Sequence, residues 1–278
     1  MAKEKDFFLG KKSLSSFPTH GDHFVHLRNS ELEEKTNRLG DKLADLQEVI
    51  FAERKHKILI VLQGLDTSGK DGTVKHVFGT TNPQGVKVVS FKTPTDLEMS
   101  YDYLWRIHQN VPAKGELVIF NRSHYEDYVV PRVHKTLPSD MTKQRLKDIR
   151  GFERMLIDEG TVLLKFFLHI SLNEQAHRLQ QRLDNPNKHW KFSLSDLTER
   201  RYWDKYHDAY EEAITATHTE ECPWFIIPAD NKRLRNYIIS KILVKRLESL
   251  NPKLPEFDPK LIKQLKSEAN RVLGTANK

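Results

Sequence analysis

Two carboxylates, a lysine and an arginine carry the chemistry that can be read from this chain. Gly64-Leu65-Asp66-Thr67-Ser68-Gly69-Lys70 has the Gly-x-x-x-x-Gly-Lys spacing of a P-loop. Glycines let such a loop fold tightly enough for its N–H groups to face phosphate oxygens, while the lysine and the positive end of the following helix add charge. Phosphate is the ligand this predicts. The Ser or Thr that usually follows the lysine and holds Mg²⁺ is replaced by Asp71. Asp66 stands inside the loop, where phosphates would repel it unless a cation lay between them. The expectation is Mg²⁺ bridging Asp66 to the phosphates, with Asp71 as a second candidate, since that ion favours carboxylate, water and phosphate oxygens. Asp71 also has a plainer reading, as a negative charge suited to a helix's first turn.

A second cluster is Asn121-Arg122-Ser123-His124-Tyr125-Glu126-Asp127. Where a P-loop enzyme commonly has an Asp that helps hold Mg²⁺, this chain has the neutral Asn121. Arg122 is the stronger candidate, because a guanidinium forks onto phosphoryl oxygens and stabilises charge during transfer. A third segment, from Arg178 to Phe192, is basic, aromatic and broken by Pro186. Between two helices it suits a mobile lid whose Arg182 and Lys188 close over phosphates and exclude water. Trp190 and Phe192 give it something to pack with, which a merely solvated basic loop would lack. Of thirteen histidines, only His124 falls beside this site, and none shows metal-ligand spacing.

These residues need strands and helices to position them. Ile58 to Leu62 is a continuous apolar run, the pattern of a buried parallel strand, and it leads directly into the P-loop. Val86–Phe91 and 116–120 read as the next strands, with a helix from Asp96 to Gln109 between them; the second strand delivers the 121–127 cluster at its carboxyl end, where ligands bind in open α/β sheets. Residues 121–134 are otherwise read as a loop. A helix over Thr142–Asp158 precedes a long apolar run, Val162–Ile170, expected to be a central strand, after which Ser171 caps a further helix. Asp196–Thr217 reads as one helix whose aromatics, at helical spacing, suit a core better than a base-stacking platform. Trp224–Ile227 is the last strand and Leu234–Leu250 the closing helix. Near the start, Ser30-Glu31-Leu32-Glu33 has the form of a capping box, and Leu32, Leu39, Leu43, Leu46 and Ile50 mark one stripe of a long helix, for packing on the core or for contact with a second copy. Residues 1–29 form an arm rich in Phe, and 251–278 a tail with prolines and a short charged helix.

The length, 278 residues, allows one α/β domain with helical extensions. A formal charge of +7 suits a polyanionic partner without choosing among them. The single cysteine, Cys222, excludes an intrachain disulfide and fits a reducing cytosol. No secretory segment opens the chain, and no apolar run approaches the ~20 residues that span a bilayer. A soluble, cytoplasmic protein without a membrane partner is expected.

Taken together in this order and spacing, the P-loop Gly64–Gly72, the cluster 121–127 and Asn185-Pro186-Asn187-Lys188-His189-Trp190-Lys191-Phe192 resemble the polyphosphate kinase 2 family, over roughly residues 30 to 250. The resemblance implies a P-loop kinase fold of the thymidylate-kinase-like kind, an α/β architecture with a parallel central sheet, flanking helices and a helical lid at about 178–205. It implies transfer of phosphoryl groups between inorganic polyphosphate and nucleotides with Mg²⁺, or Mn²⁺ in its place, by a homodimer or homotetramer. Its P-loop carboxylate falls on Asp66, which would hold the metal, and its lysine on Lys70; with Arg122 these are the catalytic candidates. Polyphosphate would meet Gly69, Lys70, Asp71, Lys75, Arg182 and Lys188, and the nucleotide Asn121, Arg122, Glu126 and Asp127. Asn-Arg-Ser-His at 121–124 is similar to the subgroup that acts on both AMP and ADP. Two other classes stand beside this reading: an ATP-dependent nucleoside monophosphate kinase, which would not need so basic a lid, and a nucleic-acid-binding ATPase, for which no binding motif is visible.

Overall fold

The computed structural model describes residues 3–10, 12–22 and 24–274; residues 1, 2, 11 and 23 of the amino-terminal arm and 275–278 of the tail lie outside the described residues. The arm lies across the domain, with Phe7, Leu9, Leu14 and Phe17 buried and the Leu14 N–H donating to Glu211 Oε2 at 2.6 Å.

The first helix, α1 (Asn29–Glu53), buries Leu32, Leu43 and Ile50. Its start differs from the sequence reading. Glu31, rather than Glu33, reaches back and accepts from the Arg28 N–H at 2.9 Å, so the cap forms at Arg28 and Ser30 lies inside the helix; Glu33 instead pairs with Arg233. β1 (Lys57–Gln63) then enters the P-loop, and α2 (Lys70–Val77) leaves it. β2 (Val86–Ser90) follows, one residue shorter than expected.

The helix expected over 96–109 is two short ones, α3 (Asp96–Met99) and α4 (Trp105–His108). Side chains compete with the backbone ladder between them: Ser100 Oγ donates to the Leu97 carbonyl at 2.7 Å, and Asp102 Oδ1 accepts from the Leu104 N–H at 3.0 Å, which starts a new turn. β3 (Leu117–Asn121) includes Asn121 as its last residue. Residues 126–134 are not loop but helix α5 (Glu126–His134), with two carboxylates in its first turn. Then come α6 (Ser139–Asp158), β4 (Thr161–His169) and α7 (Leu172–Leu183), whose Ser171 cap accepts from Glu174 N at 3.1 Å.

The segment expected to form a lid is a 3₁₀ turn, Pro186–Lys191, followed by α8 (Leu194–Arg200) and α9 (Trp203–Thr217). One continuous helix from 196 was expected. Ser193 caps α8 earlier, and Glu199 near its end is taken by Tyr206 Oη at 2.6 Å and His134 at 2.9 Å, which anchors the break at residues 201–202. β5 (Trp224–Pro228), α10 (Lys232–Ser249) and α11 (Pro259–Leu273) complete the chain.

All five strands are parallel, in the order β2-β3-β1-β4-β5. β1 is therefore the middle strand, with Ile60 opposite Ile119 on one side and Leu164 on the other, and β4 is an interior strand as expected, paired with β1 and β5. Alternate residues of β1 feed two cores. Ile58, Ile60 and Leu62 pack toward α1, α2 and α10, while Leu59 and Val61 pack toward α5, α6 and α9. Each fully buried aliphatic side chain contributes about 1.5–3 kcal/mol, so the run at 58–62 fixes β1 in the middle of three layers. Chain order reverses on either side of β1, and a switch point of this kind opens a crevice at the carboxyl ends of β1 and β3.

Candidate active site

The crevice is lined first by the P-loop. Thr67 and Gly69 have left-handed backbones, φ 64° and 104°, so the loop curls back above the end of β1. Lys70, buried at the start of α2, donates from Nζ to the carbonyls of Gly64 at 2.6 Å and Leu65 at 3.2 Å. Burial lowers its pKa to about 8, helped by the Arg122 charge and opposed by Asp66, Glu126 and Asp71. The hydroxyls of Thr67, Ser68 and Thr73 are buried without a hydrogen-bond partner among the described residues.

Two arginines that the sequence reading did not single out hold the loop from behind. Arg178 donates to the carbonyls of Thr67 (3.0 Å), Ser68 (3.2 Å), Ala229 (2.7 Å) and Asp230 (2.8 Å), tying the P-loop to the end of β5. Arg235 donates to Ser68 O at 3.1 Å, and burial with the neighbouring Arg178 charge lowers it to about 9. Their only sequence signal was cationic residues on otherwise buried helix faces, which motif spacing does not weigh.

The second cluster meets the first. Arg122, also left-handed at φ 62°, places Nη2 2.8 Å from Asp66 Oδ1. The Gln63 amide, turned to satisfy both of its atoms, donates to Glu126 Oε1 at 2.9 Å and accepts from Ser123 N at 3.1 Å, so Glu126 faces the same crevice. Burial raises the Glu126 carboxyl, and the Arg122 and Lys70 charges partly offset this. Asp66, Lys70, Arg122 and Glu126 thus form one electrostatic group. Asp127 is committed elsewhere: its Oδ2 pairs with Arg106 Nη2 at 3.0 Å. His124 does not face the crevice as its sequence position suggested; it is fully buried, with Nε2 3.1 Å from Glu153 Oε1. Glu153 also accepts from Lys165 Nζ at 2.6 Å and Tyr125 Oη at 2.8 Å, an ionic network beneath the 121–125 segment.

The lid residues divide. Lys188 is exposed, and its charge bears on Lys232 at the start of α10, alongside those of Arg178 and Arg235. Arg182 donates to the Lys191 carbonyl at 3.0 Å and lies 3.8 Å from Asp196, so it braces the lid's own turn. The lid residue that reaches the P-loop helix is Lys191, 3.5 Å from Asp71 Oδ2; Asp71 Oδ1 accepts from Asn121 Nδ2 at 2.9 Å. Lys75 is exposed further along α2, with no side-chain contact to the loop among the described residues.

A parallel sheet whose switch point carries a P-loop lysine, a loop carboxylate and an arginine from the adjacent strand defines an α/β P-loop kinase fold. Residues 26–255 match the profile of the family described as Polyphosphate kinase 2, and the chain belongs to that family. It is 56% identical to the AMP/ADP-polyphosphate phosphotransferase of Meiothermus ruber over 78% of this chain and 82% of that one. It is 37% identical to the ADP-polyphosphate phosphotransferase of Rhodopseudomonas palustris over 98% and 99%. The crystal structure of polyphosphate kinase 2 from Arthrobacter aurescens superposes with a TM-score of 0.90 at 39% identity, covering 94% of this chain and 95% of that one. Among the described residues, no helix is long and apolar enough to cross a membrane.

Proposed function

We propose that this chain moves the terminal phosphoryl group of inorganic polyphosphate to nucleoside mono- and diphosphates, AMP to ADP and ADP to ATP, reversibly. The observation that carries the reading is the meeting of Asp66, Lys70 and Arg122 at the switch point, in a chain 56% identical to a protein named AMP/ADP-polyphosphate phosphotransferase. The bond from the terminal phosphorus to its bridging oxygen breaks, one from that phosphorus to an acceptor phosphate oxygen forms, and the polymer leaves one unit shorter. The attacking oxygen is ionised near neutral pH, so positioning and charge neutralisation, rather than a strong base, supply the rate.

Polyphosphate lies along Gly69 and Lys70, past Asp71 and Lys75 on α2, under the basic lid of Arg182 and Lys188. The acceptor meets Asn121, Arg122 and Glu126, with Asp127 holding that segment through Arg106. Lys70 binds and orients the donor phosphate, and Arg122 forks onto the transferring group. Mg²⁺, or Mn²⁺ in its place, fits as an ion shared with substrate. Among the described residues no three His, Cys, Asp or Glu side chains are placed to hold a metal, so Asp66 would hold it together with phosphate oxygens and water. When bound, the ion neutralises phosphoryl charge. A homodimer or homotetramer is supported by the exposed Leu261, Leu265, Val272 and Leu273 of α11, and the buried free thiol of Cys222 suits a reducing cytoplasm; no nucleic acid partner is invoked.

The test is an end-point assay with purified protein, Mg²⁺ and long-chain polyphosphate, offering AMP and ADP separately, with ATP-only and polymer-free controls. Polymer-dependent conversion of AMP to ADP and then ATP is the expected result. Conversion of ADP alone would remove the dual-acceptor part, and phosphorylation of a monophosphate by ATP without any use of polymer would make the protein an ordinary nucleotide kinase.

A further inference from the structure

Successive carbonyls at the bend of the P-loop are all held by one helix. Gln175 of α7 donates from Nε2 to Asp66 O at 3.1 Å, and Arg178 of the same helix donates from Nη1 to Thr67 O and Ser68 O. A trans peptide sets its N–H opposite to its carbonyl, so the bonds to Asp66 O and Ser68 O aim the N–H groups of Thr67 and Gly69 away from α7. Such N–H groups are what a P-loop presents to phosphate. The Arg178 fork is fixed in turn by the 229–230 backbone, whose carbonyls accept from Nη2 at 2.7 Å and 2.8 Å. That backbone is pinned by the Asp230 side chain. Its carboxylate, 3% exposed, accepts through Oδ1 from the Ser171 N–H at 2.8 Å, at the start of α7, and its Oδ2 lies 3.1 Å from His20 Nε2. The Asp230 N–H donates to Thr19 O at 3.3 Å. Next to these contacts the arm passes so close to α10 that a Cβ on Gly21 would stand 2.1 Å from Cδ2 of the buried Leu234.

We propose that Asp230 is a positioning residue for phosphoryl transfer, and that the arm at Thr19–Gly21 belongs to the same support. The inference rests on reading this crevice as the phosphoryl-transfer centre. Asp230 touches no reacting group; it acts through Arg178 on the path of residues 66–69. The contacts close on themselves. Asp230 Oδ1 holds the N–H of the Ser171 cap, while Arg178, about two turns along the helix that Ser171 starts, holds the Asp230 carbonyl. Without the carboxylate, the 229–230 turn loses its tie to α7, and the Arg178 fork loses a fixed target. A displacement of about 1 Å in a positioning group is enough to cost about 10²-fold in rate. Residues far away in sequence thereby bear on the loop: Thr19 and His20 meet Asp230 directly, and Gly21 seats the arm against Leu234.

The test compares the full chain as wild type, Asp230→Ala, Asp230→Asn, Gly21→Val and, as a control, Leu43→Ala, a fully buried position of α1 outside the site. The readouts are kcat and KM for polyphosphate-dependent phosphorylation of AMP, well below every unfolding midpoint, and hydrogen exchange of the 64–70 segment by mass spectrometry. Asp230→Ala should lose at least about tenfold in kcat, with KM for polyphosphate changed by less than about threefold, and exchange in 64–70 should quicken by at least about tenfold. Asp230→Asn, which keeps an acceptor for the Ser171 N–H, should lose less than Asp230→Ala in both readouts. Gly21→Val, which forces the arm off Leu234, should shift both in the same direction. Leu43→Ala should lower the unfolding midpoint while leaving kcat and the 64–70 exchange as in wild type. Should Asp230→Ala not fold, Asp230→Asn and Gly21→Val are measured against the same control. Wild-type kcat and exchange in the Asp230 variants, or losses equalled by Leu43→Ala, would overturn the positioning role, and unchanged values in Gly21→Val would remove the arm from it. Failure of wild type to use polyphosphate at all would instead remove the functional reading, while the exchange measurement would still decide whether Asp230 holds the loop.

Discussion

Arg122 Nη2 stands 2.8 Å from Asp66 Oδ1, delivered there by a backbone turned into the left-handed region at φ 62°. A non-glycine residue in that region costs about 1–2 kcal/mol. The turn is held by the Arg122 N–H donating to the Leu62 carbonyl at 3.1 Å and by the buried contacts of Ser123, His124 and Tyr125 just beyond. The guanidinium is thus aimed before any substrate arrives. Arg122→Lys, which keeps the charge but loses the planar fork, should lower kcat by about 10²–10³ with a smaller change in KM for polyphosphate. Asp66→Asn should likewise cut turnover far more than it weakens polymer binding. Steady-state kinetics with varied polyphosphate separates these effects, and unchanged turnover in the Asp66 variant would remove its metal role.

Lys70 sets a pH limit. Its folded pKa, lowered to about 8 by burial and by Arg122, means that the free enzyme loses this charge as pH rises through 8. kcat/KM for polyphosphate should fall by about tenfold per pH unit above that point, and the limb should lie higher in kcat, because bound phosphate holds the proton in place. The stability effect has the opposite sign. Between about 8 and 10.5 the unfolded lysine binds a proton that the folded one does not, so the Lys70 contribution to stability rises with pH across that window. A pH–rate profile checks the first claim, and Lys70→Arg, charged throughout, should abolish the limb.

Gly69 is fixed by its neighbours rather than by phosphate alone. Its φ is 104°, and a Cβ there would come 1.9 Å from Arg235 Nη1, a group that is itself buried against the loop. Gly69→Ala should therefore displace Arg235 or the loop, lowering kcat/KM by more than about 10² and destabilising the fold by about 1–3 kcal/mol. Kinetics and urea unfolding report the two effects separately. Full activity in this variant would mean that the loop tolerates a different path.

The parts of this molecule legible in the sequence are those set by local pattern. The run at 58–62 and the Gly-Lys spacing placed β1, the P-loop and Lys70 because a buried strand and a phosphate loop each impose a short-range rule. Helix breaks at 100–104 and 201–202 were not legible, since they depend on Ser100, Asp102 and Glu199 finding partners that compete with the helix ladder. The carboxylate-to-arginine contact was reachable only as two separate motifs, because strand order decides that β1 and β3 are neighbours. Arg178, Arg235 and Lys191 act through tertiary contacts at sequence separations of 110, 167 and over 100 residues, beyond any motif window. Lys165 was hidden within an apolar strand for the same reason.

Lys165 also gives the clearest stability test. Its ammonium, fully buried on β4, lies 2.6 Å from Glu153 Oε2, and the same carboxylate holds His124 and Tyr125, two and three residues beyond Arg122. Lys165→Met leaves Glu153 buried without its cation and should cost about 3–5 kcal/mol in urea unfolding at neutral pH. Lys165→Met with Glu153→Leu removes both charges and should recover most of that loss, since replacing a whole buried pair by apolar groups is often neutral. Burial would raise Glu153, but Lys165 and His124 outweigh it and hold the carboxyl below its ordinary value. A depressed carboxyl contributes stability that is present above the unfolded value near 4.5 and is lost as pH falls through the lower folded value. The gap between wild type and Lys165→Met should therefore narrow in acid. A gap that stayed constant from pH 7 to pH 3 would place the cost of the substitution in packing rather than in the ion pair.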